Sequence, residues 1–239
     1  MTSQPPSFTK AFKENLFPAM AAMGFKPDGS KRFRRVIDGV LQFLILTVET
    51  RLRREFSFAY GAILICEPPF RDDPVYSLSH GGNFPVNPIG YWNGQCYLAN
   101  TEVSLQKSIE RVQRDFPALL EWFEKSGSLN GYLTTFRERL HHDPSKILTD
   151  NGHSYLALAC GEVLAGNLTA AEECANKALS DFTAIHHRIT TTCPDMPVAD
   201  LWTPERISRC EELLHAIQNN ASRMLVEGWA QKTSSIYKL

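Results

Sequence analysis

The dipeptide Asp38-Gly39, set between two runs of strand-forming residues, constrains the fold more than any other feature of the sequence. The first run extends from Arg32 to Ile37 and the second from Val40 to Thr50. A two-residue loop that reverses an antiparallel pair of strands needs positive φ at both positions, and Asp-Gly adopts this conformation readily. The sequence therefore predicts a β-hairpin centred on these two residues.

The second run is apolar on both faces of the strand that it predicts. Along it, Leu41, Phe43, Ile45 and Thr47 alternate with Gln42, Leu44, Leu46 and Val48. A strand of this kind lies in the middle of a sheet, with cover on both faces. A third strand is predicted from Phe56 to Cys66, with small residues on one face that would let a helix or loop approach closely. We therefore expect an antiparallel β-meander from about Lys31 to Cys66.

Helical periodicity returns on either side of this meander. Near the N-terminus, apolar residues recur at helical spacing, with Pro18 expected to bend or divide the helix and Gly24 to end it. A second helical stretch begins after Thr101, and we expect Pro117 to restart the helix near its middle.

The last third of the chain is predicted to be helical throughout. Two helices over 154–165 and 169–184, joined at Gly166-Asn167 and lined by alanines, resemble a single tetratricopeptide-type hairpin, although a generic pair of antiparallel helices explains the pattern equally. Thr203 is expected to cap one long helix whose apolar stripe continues to Leu225. We expect the polar tail after it to fray.

These elements together predict an α+β fold, in which an antiparallel β-meander is flanked by helices and followed by an all-helical C-terminal third. We expect an α+β domain over residues 1–143 and a helical region over residues 144–239, either separate or packed on the first as one unit. The segment 67–100 is rich in proline and glycine, and within it Val75 to Ser79 and Ile89 to Leu98 are candidates for further short strands.

Composition narrows the class of protein. The 239 residues carry a formal net charge of -1, so no global positive field favours nucleic acid. The longest apolar run, from Val40 to Val48, is far shorter than a membrane span, and no secretory signal precedes it. Six scattered cysteines without metal-binding spacing are typical of reduced, buried thiols. We expect a cytoplasmic protein with no metal and no cofactor.

A binding surface is predicted in the loops between residues 68 and 100. Tyrosine, tryptophan and arginine are the side chains that dominate interface hot spots, and this segment combines them with aspartates. The candidates are Phe70, Arg71, Asp72, Asp73, His80, Tyr91, Trp92 and Tyr97. The alternative is that the aromatic residues cover the end of the sheet as a second small core.

The segment Ser79-His80-Gly81-Gly82-Asn83 has two interpretations. Its glycines would free backbone amides to bind an anion, and His80 would act as an acid or base. A turn between two strands of the sheet is the alternative. The basic residues within 31–35 and 51–54 likewise fit either an acidic partner or solvated strand ends.

Three motifs at the start of the chain resemble those of a known family. The first helix ends in Met23-Gly24-Phe25-Lys26, and Phe33-Arg34-Arg35 and Asp38-Gly39-Val40-Leu41-Gln42-Phe43 follow. In this order they resemble the bacterial family called domain of unknown function 4304, over about residues 8–136. Members of that family show a polar patch after the apolar strand, where this chain has Val48-Glu49-Thr50-Arg51. The resemblance implies an α+β fold and a bacterial protein, and it carries over no activity and no catalytic residue.

The preferred hypothesis for function is a protein-binding module, in its finer form an immunity-type protein that neutralises a bacterial toxin by occluding it. Occlusion needs surface complementarity and no chemistry. The partner would be another protein, the cognate toxin, and not nucleic acid or a membrane. Two alternatives stay open. One is an enzyme that acts on a small molecule through His80 with Asp72 or Asp73, and the other is a helical scaffold or adaptor subunit.

Overall fold

The computed structural model describes residues 8–29, 31–49, 54–68, 80–86, 96–142, 151–192 and 202–237. The chain forms two compact units, of which the first comprises Met1–Ala62 and His80–Tyr132, and the second comprises Ile63–Ser79 and Leu133–Leu239. Each unit thus draws on two separate stretches of chain. The sequence predicts a single boundary between residues 143 and 144, and this boundary stays a prediction.

An antiparallel sheet with helices forms the fold, which confirms the predicted α+β class. The strands are β1 (Lys26–Pro27), β2 (Arg32–Ile37), β3 (Val40–Glu49), β4 (Glu55–Leu64), β5 (His80–Asn83) and β6 (Tyr97–Leu98). They lie in the order β1-β2-β3-β4-β5, and β6 pairs with β4 next to β5. The predicted meander corresponds to β2, β3 and β4.

The turn at Asp38-Gly39 has the conformation that the sequence predicts. The φ angles of the two residues are 48° and 73°, and the flanking Ile37 and Val40 are paired across the hairpin. Both central positions are therefore left-handed, as in a type I′ turn. Because the turn fixes the register of β2 and β3, it also fixes which side chains share a face of the sheet.

The helices of the first unit begin and end for recognisable reasons. They are α1 (Phe8–Asn15), α2 (Phe17–Ala22) and α3 (Glu102–Lys125), and α4 (Leu129–His142) begins within this unit. Pro18 lies in the first turn of α2, and Gly24 follows α2 with a φ of 87°, both as predicted. Thr101 and Ser104 form a reciprocal capping box that starts α3.

α3 is continuous through Pro117, so the predicted restart of the helix at this residue is wrong. A proline in the middle of a helix removes one backbone hydrogen bond and strains the preceding turn. The buried stripe of α3 offsets this cost, because Phe116, Leu119 and Phe123 on either side of the proline are all packed into the core.

One face of the sheet carries the core of the first unit. Aromatic side chains of α1 and of the strands interleave there, with ring centroids 4.8 Å apart for Phe12 and Phe33 and 5.7 Å apart for Phe12 and Phe58. Stacked and tilted aromatic pairs each add about 0.5–1.5 kcal/mol beyond the burial of their area. The strand residues of this core are Phe33, Leu44, Leu46, Phe56, Phe58, Tyr60 and Tyr97.

Arg35 links the sheet to the C-terminal end of α3. Its guanidinium donates to the Gln42 side chain at 2.6 Å, to the Phe123 carbonyl at 3.0 Å and to the Met23 carbonyl at 2.7 Å. The Gln42 amide in turn donates to the Phe123 carbonyl at 2.6 Å and to the Ser126 hydroxyl at 2.8 Å. Burial lowers the pKa of the Arg35 guanidinium, while Glu124 opposes this change. The network satisfies carbonyls that a helix end leaves without partners.

The second unit contains four of the described helices: α5 (Asn151–Ala165), α6 (Leu168–Thr192), α7 (Thr203–Gln218) and α8 (Ser222–Tyr237). The predicted hairpin is present, since α5 and α6 are joined at Gly166, which has a φ of 81°. Buried alanines on α6 bring the two helices close together; they are Ala171, Ala175 and Ala178. Tetratricopeptide ancestry stays a prediction.

The C-terminal helix is broken where the sequence predicts one continuous helix. α7 ends at Gln218 and α8 begins at Ser222, with Asn220 between them at a φ of 56°. α8 then continues to Tyr237, so the expected fraying after Gln231 is also wrong. The helix persists because Trp229 and Thr233 are buried on its inner face.

Thr203 does not cap α7 as expected, because its hydroxyl lies 2.8 Å from Nδ1 of His186 on α6. The capping position belongs instead to Trp202, whose side chain makes no capping hydrogen bond. Buried Arg206 adds a second polar link in this unit, since its Nε donates to Nε2 of His153 on α5 at 2.7 Å. Polar contacts of this kind connect α5, α6 and α7 at one end of the helices.

Replacing Arg35 by methionine tests how strongly the network stabilises the first unit. The substitution keeps the length of the side chain but leaves the Gln42 amide and two backbone carbonyls without their charged donor. We expect the free energy of unfolding to fall by about 2 kcal/mol, as for hydrogen bonds to charged groups. Urea unfolding followed by near-ultraviolet circular dichroism measures the change. The matched control is Arg114→Met, because exposed Arg114 on α3 bonds its neighbour Asp115. Equal effects of the two substitutions would contradict the assignment.

Candidate functional site

The predicted loop surface is only partly within the described structure. Phe70, Arg71, Asp72, Asp73, Tyr91 and Trp92 lie outside the described residues. Their part in a binding surface, and the catalytic pairing of His80 with Asp72 or Asp73, stay predictions. The structure places the two other candidates, His80 and Tyr97.

His80 begins strand β5, so the prediction that residues 79–83 form a turn is wrong for the described part of that segment. β5 pairs with β4, and His80 lies opposite Ala62. The adjacent Gly81 lies so close to the backbone of Tyr60 and Gly61 that no other residue would fit. Glycines that suggest a turn therefore serve here to let two strands meet.

The His80 side chain is buried, with 2% of its surface exposed. Its ring lies 5.1 Å from that of Trp122 and 5.3 Å from that of Tyr132. A side chain enclosed in this way cannot present itself to a partner protein, so the prediction of His80 as a surface residue is wrong. The physical reason is the strand alternation, which points His80 toward the helical side of the sheet.

Tyr97 on β6 is fully buried in the aromatic core and is not part of an exposed cluster, as the surface prediction required. Its ring stacks on Phe56 at 5.2 Å, and Phe84 lies nearby. Burial raises the pKa of the Tyr97 hydroxyl to about 12, and Asp115 adds to the rise. For this residue the alternative interpretation, a core beneath the aromatic side chains, is correct.

Three thiols are buried in the second unit. Cys66 follows β4, Cys160 lies on α5 and Cys210 on α7, and all three are free. Burial is the main cause that raises the pKa of each thiol, to about 12 for Cys210. Since the thiolate is the reactive form, these side chains are poor nucleophiles. They agree with the prediction of buried structural cysteines.

The second face of the sheet, opposite the aromatic core, contains a set of half-buried and exposed side chains. Residues directly opposite each other in paired strands point to the same side, so the register defines this set. We call it the open face: Lys26 of β1, Arg32, Arg34 and Val36 of β2, Ile45 and Thr47 of β3, Ser57 and Ala59 of β4, Asn83 of β5 and Leu98 of β6. The set crosses all six strands.

Burial differs along this side of the sheet. Near the hairpin turn, Leu41 and Phe43 are each 3% exposed. The ring of Phe43 lies directly over Gly61 of β4, where any side chain would collide with it. Small residues on β4 were expected to admit a helix or loop; at Gly61 they admit a phenylalanine from the same sheet. Beyond this point the same side of the sheet becomes accessible, at Ile45, Thr47 and Ala59.

Positive charge is concentrated at one edge of the open face. Nε of Arg32 and Nε of Arg34 lie 3.8 Å and 3.7 Å from the same carboxylate oxygen of Asp28. Lys26 is exposed and lies opposite Arg34 in the ladder. The predicted basic stripe is therefore divided, because Arg35 between these residues points into the core. Arg51 and Arg53 lie outside the described residues.

Carboxylates lie at another end of the same side. By strand alternation, Glu49 at the end of β3 and Glu55 at the start of β4 point to the side of the open face. The charge across this side of the sheet is therefore not uniform, and runs from basic at β1 and β2 to acidic near the turn between β3 and β4.

No family model matches the chain, and neither a curated protein nor a solved structure matches it. The resemblance to domain of unknown function 4304 stays a prediction. Among the helices that the structure describes, none has the length and the apolar character needed to cross a membrane. Within the described ranges, no three or more His, Cys, Asp or Glu side chains are grouped so as to hold a metal ion.

Reasoning from the sequence missed the open face, although a signal for it was present. In β2, Arg32, Arg34 and Val36 alternate with Phe33, Arg35 and Ile37. This alternation shows that two arginines share a face and the third does not. It does not show which face is dry, because the neighbouring strand is apolar on both sides.

Modification of thiols tests the assignment of the cysteines. Burial keeps the thiols of Cys66, Cys160 and Cys210 protonated at pH 8, so we expect them to react at least about 100-fold more slowly than exposed Cys96. Reaction of the folded protein with iodoacetamide, mapped by mass spectrometry at each site, measures the rates. Denaturant should equalise them, and Cys96→Ser should remove the fast site. A fast reaction at Cys160 in the folded protein would refute the structural role.

Proposed function

We propose that the chain is a protein-binding module and that the open face is its binding surface. The observation that supports this proposal is the exposure of one side of a central antiparallel sheet, which antiparallel sheets bury or expose on each face separately. The surface combines charged residues at an edge with small and apolar residues at the centre. Protein interfaces have the same arrangement of a polar rim around a less polar core.

The dimensions of the open face suit a protein partner. Its five successive strands, at about 4.8 Å spacing, make a surface roughly 20 Å wide. A specific interface takes about 800 Å² from each partner, which corresponds to a patch of similar width. The centre of the face is flat because its side chains are small, such as those of Ser57 and Ala59. A flat, accessible sheet face of this kind supports binding of a broad surface more than binding of a small molecule, which prefers a concave pocket.

In its finer form, the proposal is that this is an immunity-type protein of the bacterial cytoplasm, and that it neutralises a toxin by occluding it. Such a protein needs shape and charge complementarity alone. The division of charge across the open face, basic at one end and acidic at the other, would orient a single partner and disfavour others. The helical scaffold remains the alternative, with α6, α7 and α8 of the second unit as its docking surface.

A bulky neutral substitution at the centre of the open face tests the proposed surface. Ala59→Tyr raises a ring above the face, suits a β-strand and leaves the charge unchanged. We expect it to weaken binding of the protein that copurifies with the wild-type chain by at least about 10-fold. Quantitative pull-down from cells of the source organism measures the change.

The matched control for this experiment is Gln113→Tyr, which places the same ring on an exposed position of α3, on the other side of the sheet. Both variants should retain the circular dichroism spectrum of the wild type. If both variants bind the partner as the wild type does, the open face is not the binding surface.

The immunity-type form has a separate test in growing cells. The gene adjacent to the coding sequence is expressed with and without this chain, and growth is recorded. We expect the neighbouring gene product to stop growth and the wild-type chain to restore it, while Ala59→Tyr restores it poorly. A neighbouring gene product that is harmless would exclude the immunity role and leave the binding module in place.

A further inference from the structure

The two arginines at the edge of the open face share one carboxylate. Asp28 lies in the turn between β1 and β2, and one of its oxygens is 3.8 Å from Nε of Arg32 and 3.7 Å from Nε of Arg34. These distances give charge attraction but exceed those of a charge-assisted hydrogen bond, which is about 2.7–2.9 Å. Asp28 therefore holds the two guanidinium groups on the same side of the sheet without the close, two-pronged contact that an arginine makes with a carboxylate.

We propose that Lys26, Arg32 and Arg34, called here the basic edge, bind a carboxylate-rich segment of the protein partner. This inference rests on the proposed function, since it assigns the chemistry of the partner at one edge of the open face. The planar guanidinium fork matches the geometry of a carboxylate. Three positive charges here face one negative charge, so the edge keeps a net charge of about +2 for an incoming acidic group.

The backbone supports the arrangement of this edge. Residues of β2 on the same side are separated by one residue, so Arg32 and Arg34 are about 7 Å apart along the strand. Lys26 lies directly opposite Arg34 in β1. An extended acidic segment has the same period of two, so that alternate carboxylates on one of its sides would meet the two arginines in turn.

A protein segment fits this side of the sheet better than nucleic acid does. Glu49 and Glu55 point to the same side near the turn between β3 and β4, and the chain as a whole has a net charge of -1. A nucleic acid backbone is negative along its whole length and would be repelled by these carboxylates. A protein partner can place acidic residues on the basic edge and neutral or basic residues opposite Glu49 and Glu55.

Nuclear magnetic resonance of the full-length, isotopically labelled chain tests the basic edge with an oligoglutamate peptide as the probe. We expect backbone amide shifts at Lys26, Arg32 and Arg34 that saturate, and an affinity that falls several-fold when the salt concentration is raised from 50 to 200 mM, as expected for exposed charges. The double variant Arg32→Gln/Arg34→Gln should bind the peptide at least about 10-fold more weakly.

The control double variant is Arg114→Gln/Arg223→Gln, which removes the same number of arginines from exposed positions on α3 and α8 that pair with Asp115 and Glu227. It should bind the peptide as the wild type does. Shifts spread evenly over all exposed lysines and arginines, or equal losses in both double variants, would overturn the proposal. So would a duplex DNA fragment that binds the basic edge more tightly than oligoglutamate.

The same variants separate this inference from the proposed function. If Ala59→Tyr weakens binding of the natural partner and Arg32→Gln/Arg34→Gln does not, the open face is the binding surface but its partner is not acidic, and the inference fails alone. If neither variant weakens binding of the natural partner, the proposed function fails as well. Loss of the natural partner in both variants, together with peptide shifts at the basic edge, supports the two together.

Discussion

The guanidinium of Arg35 is the contact on which the arrangement of the first unit depends. It joins three parts of the chain that are far apart in sequence: the end of α2 at Met23, the hairpin at Gln42 and the end of α3 at Phe123. Gln42 is fully buried in a central strand, where an amide without partners would cost several kcal/mol. The arginine and the helix end supply those partners. A polar network inside an otherwise aromatic core thereby specifies one position of α3 on the sheet.

The sheet is unequal on its two sides, and this inequality separates stability from function. Aromatic residues of β2, β3 and β4 pack against α1 and α3 on one side, and the same strands carry Arg32, Thr47 and Ala59 on the other. Strand alternation allows this, because successive residues belong to different faces. Substitutions on the open face therefore change what the protein can bind at little cost to the core beneath it.

Local signals made much of the fold predictable from the sequence. Asp38-Gly39 specifies its own turn, and Pro18 and Gly24 mark the limits of α2, because each acts through its own backbone conformation. Positions that depend on distant contacts were not predictable. Pro117 stays within α3 because of the core around it, and β5 forms from a glycine-rich segment because the backbone of β4 is there to pair with it.

The same distinction explains the candidate site. The sequence shows that Tyr97 and His80 are aromatic or polar residues in a proline-rich and glycine-rich segment, and such residues occur in binding loops as often as beneath them. Their burial depends on pairing with β4 and on the helices that cover one side of the sheet. The open face, in contrast, depends on the alternation within β2, which is local. What was missing was the knowledge of which side of the sheet the helices occupy.

The short outer strands of the sheet determine how another protein can approach it. β1 has two residues, one of them Pro27, which has no amide hydrogen to donate. On the other side, β5 and β6 contain four and two residues, and each covers a different part of β4. A neighbouring chain that tried to extend the sheet by adding a strand would find too few backbone groups in line to form a ladder. The architecture therefore resists uncontrolled growth of the sheet into aggregates, and leaves side-chain contact as the means by which this sheet can select a partner.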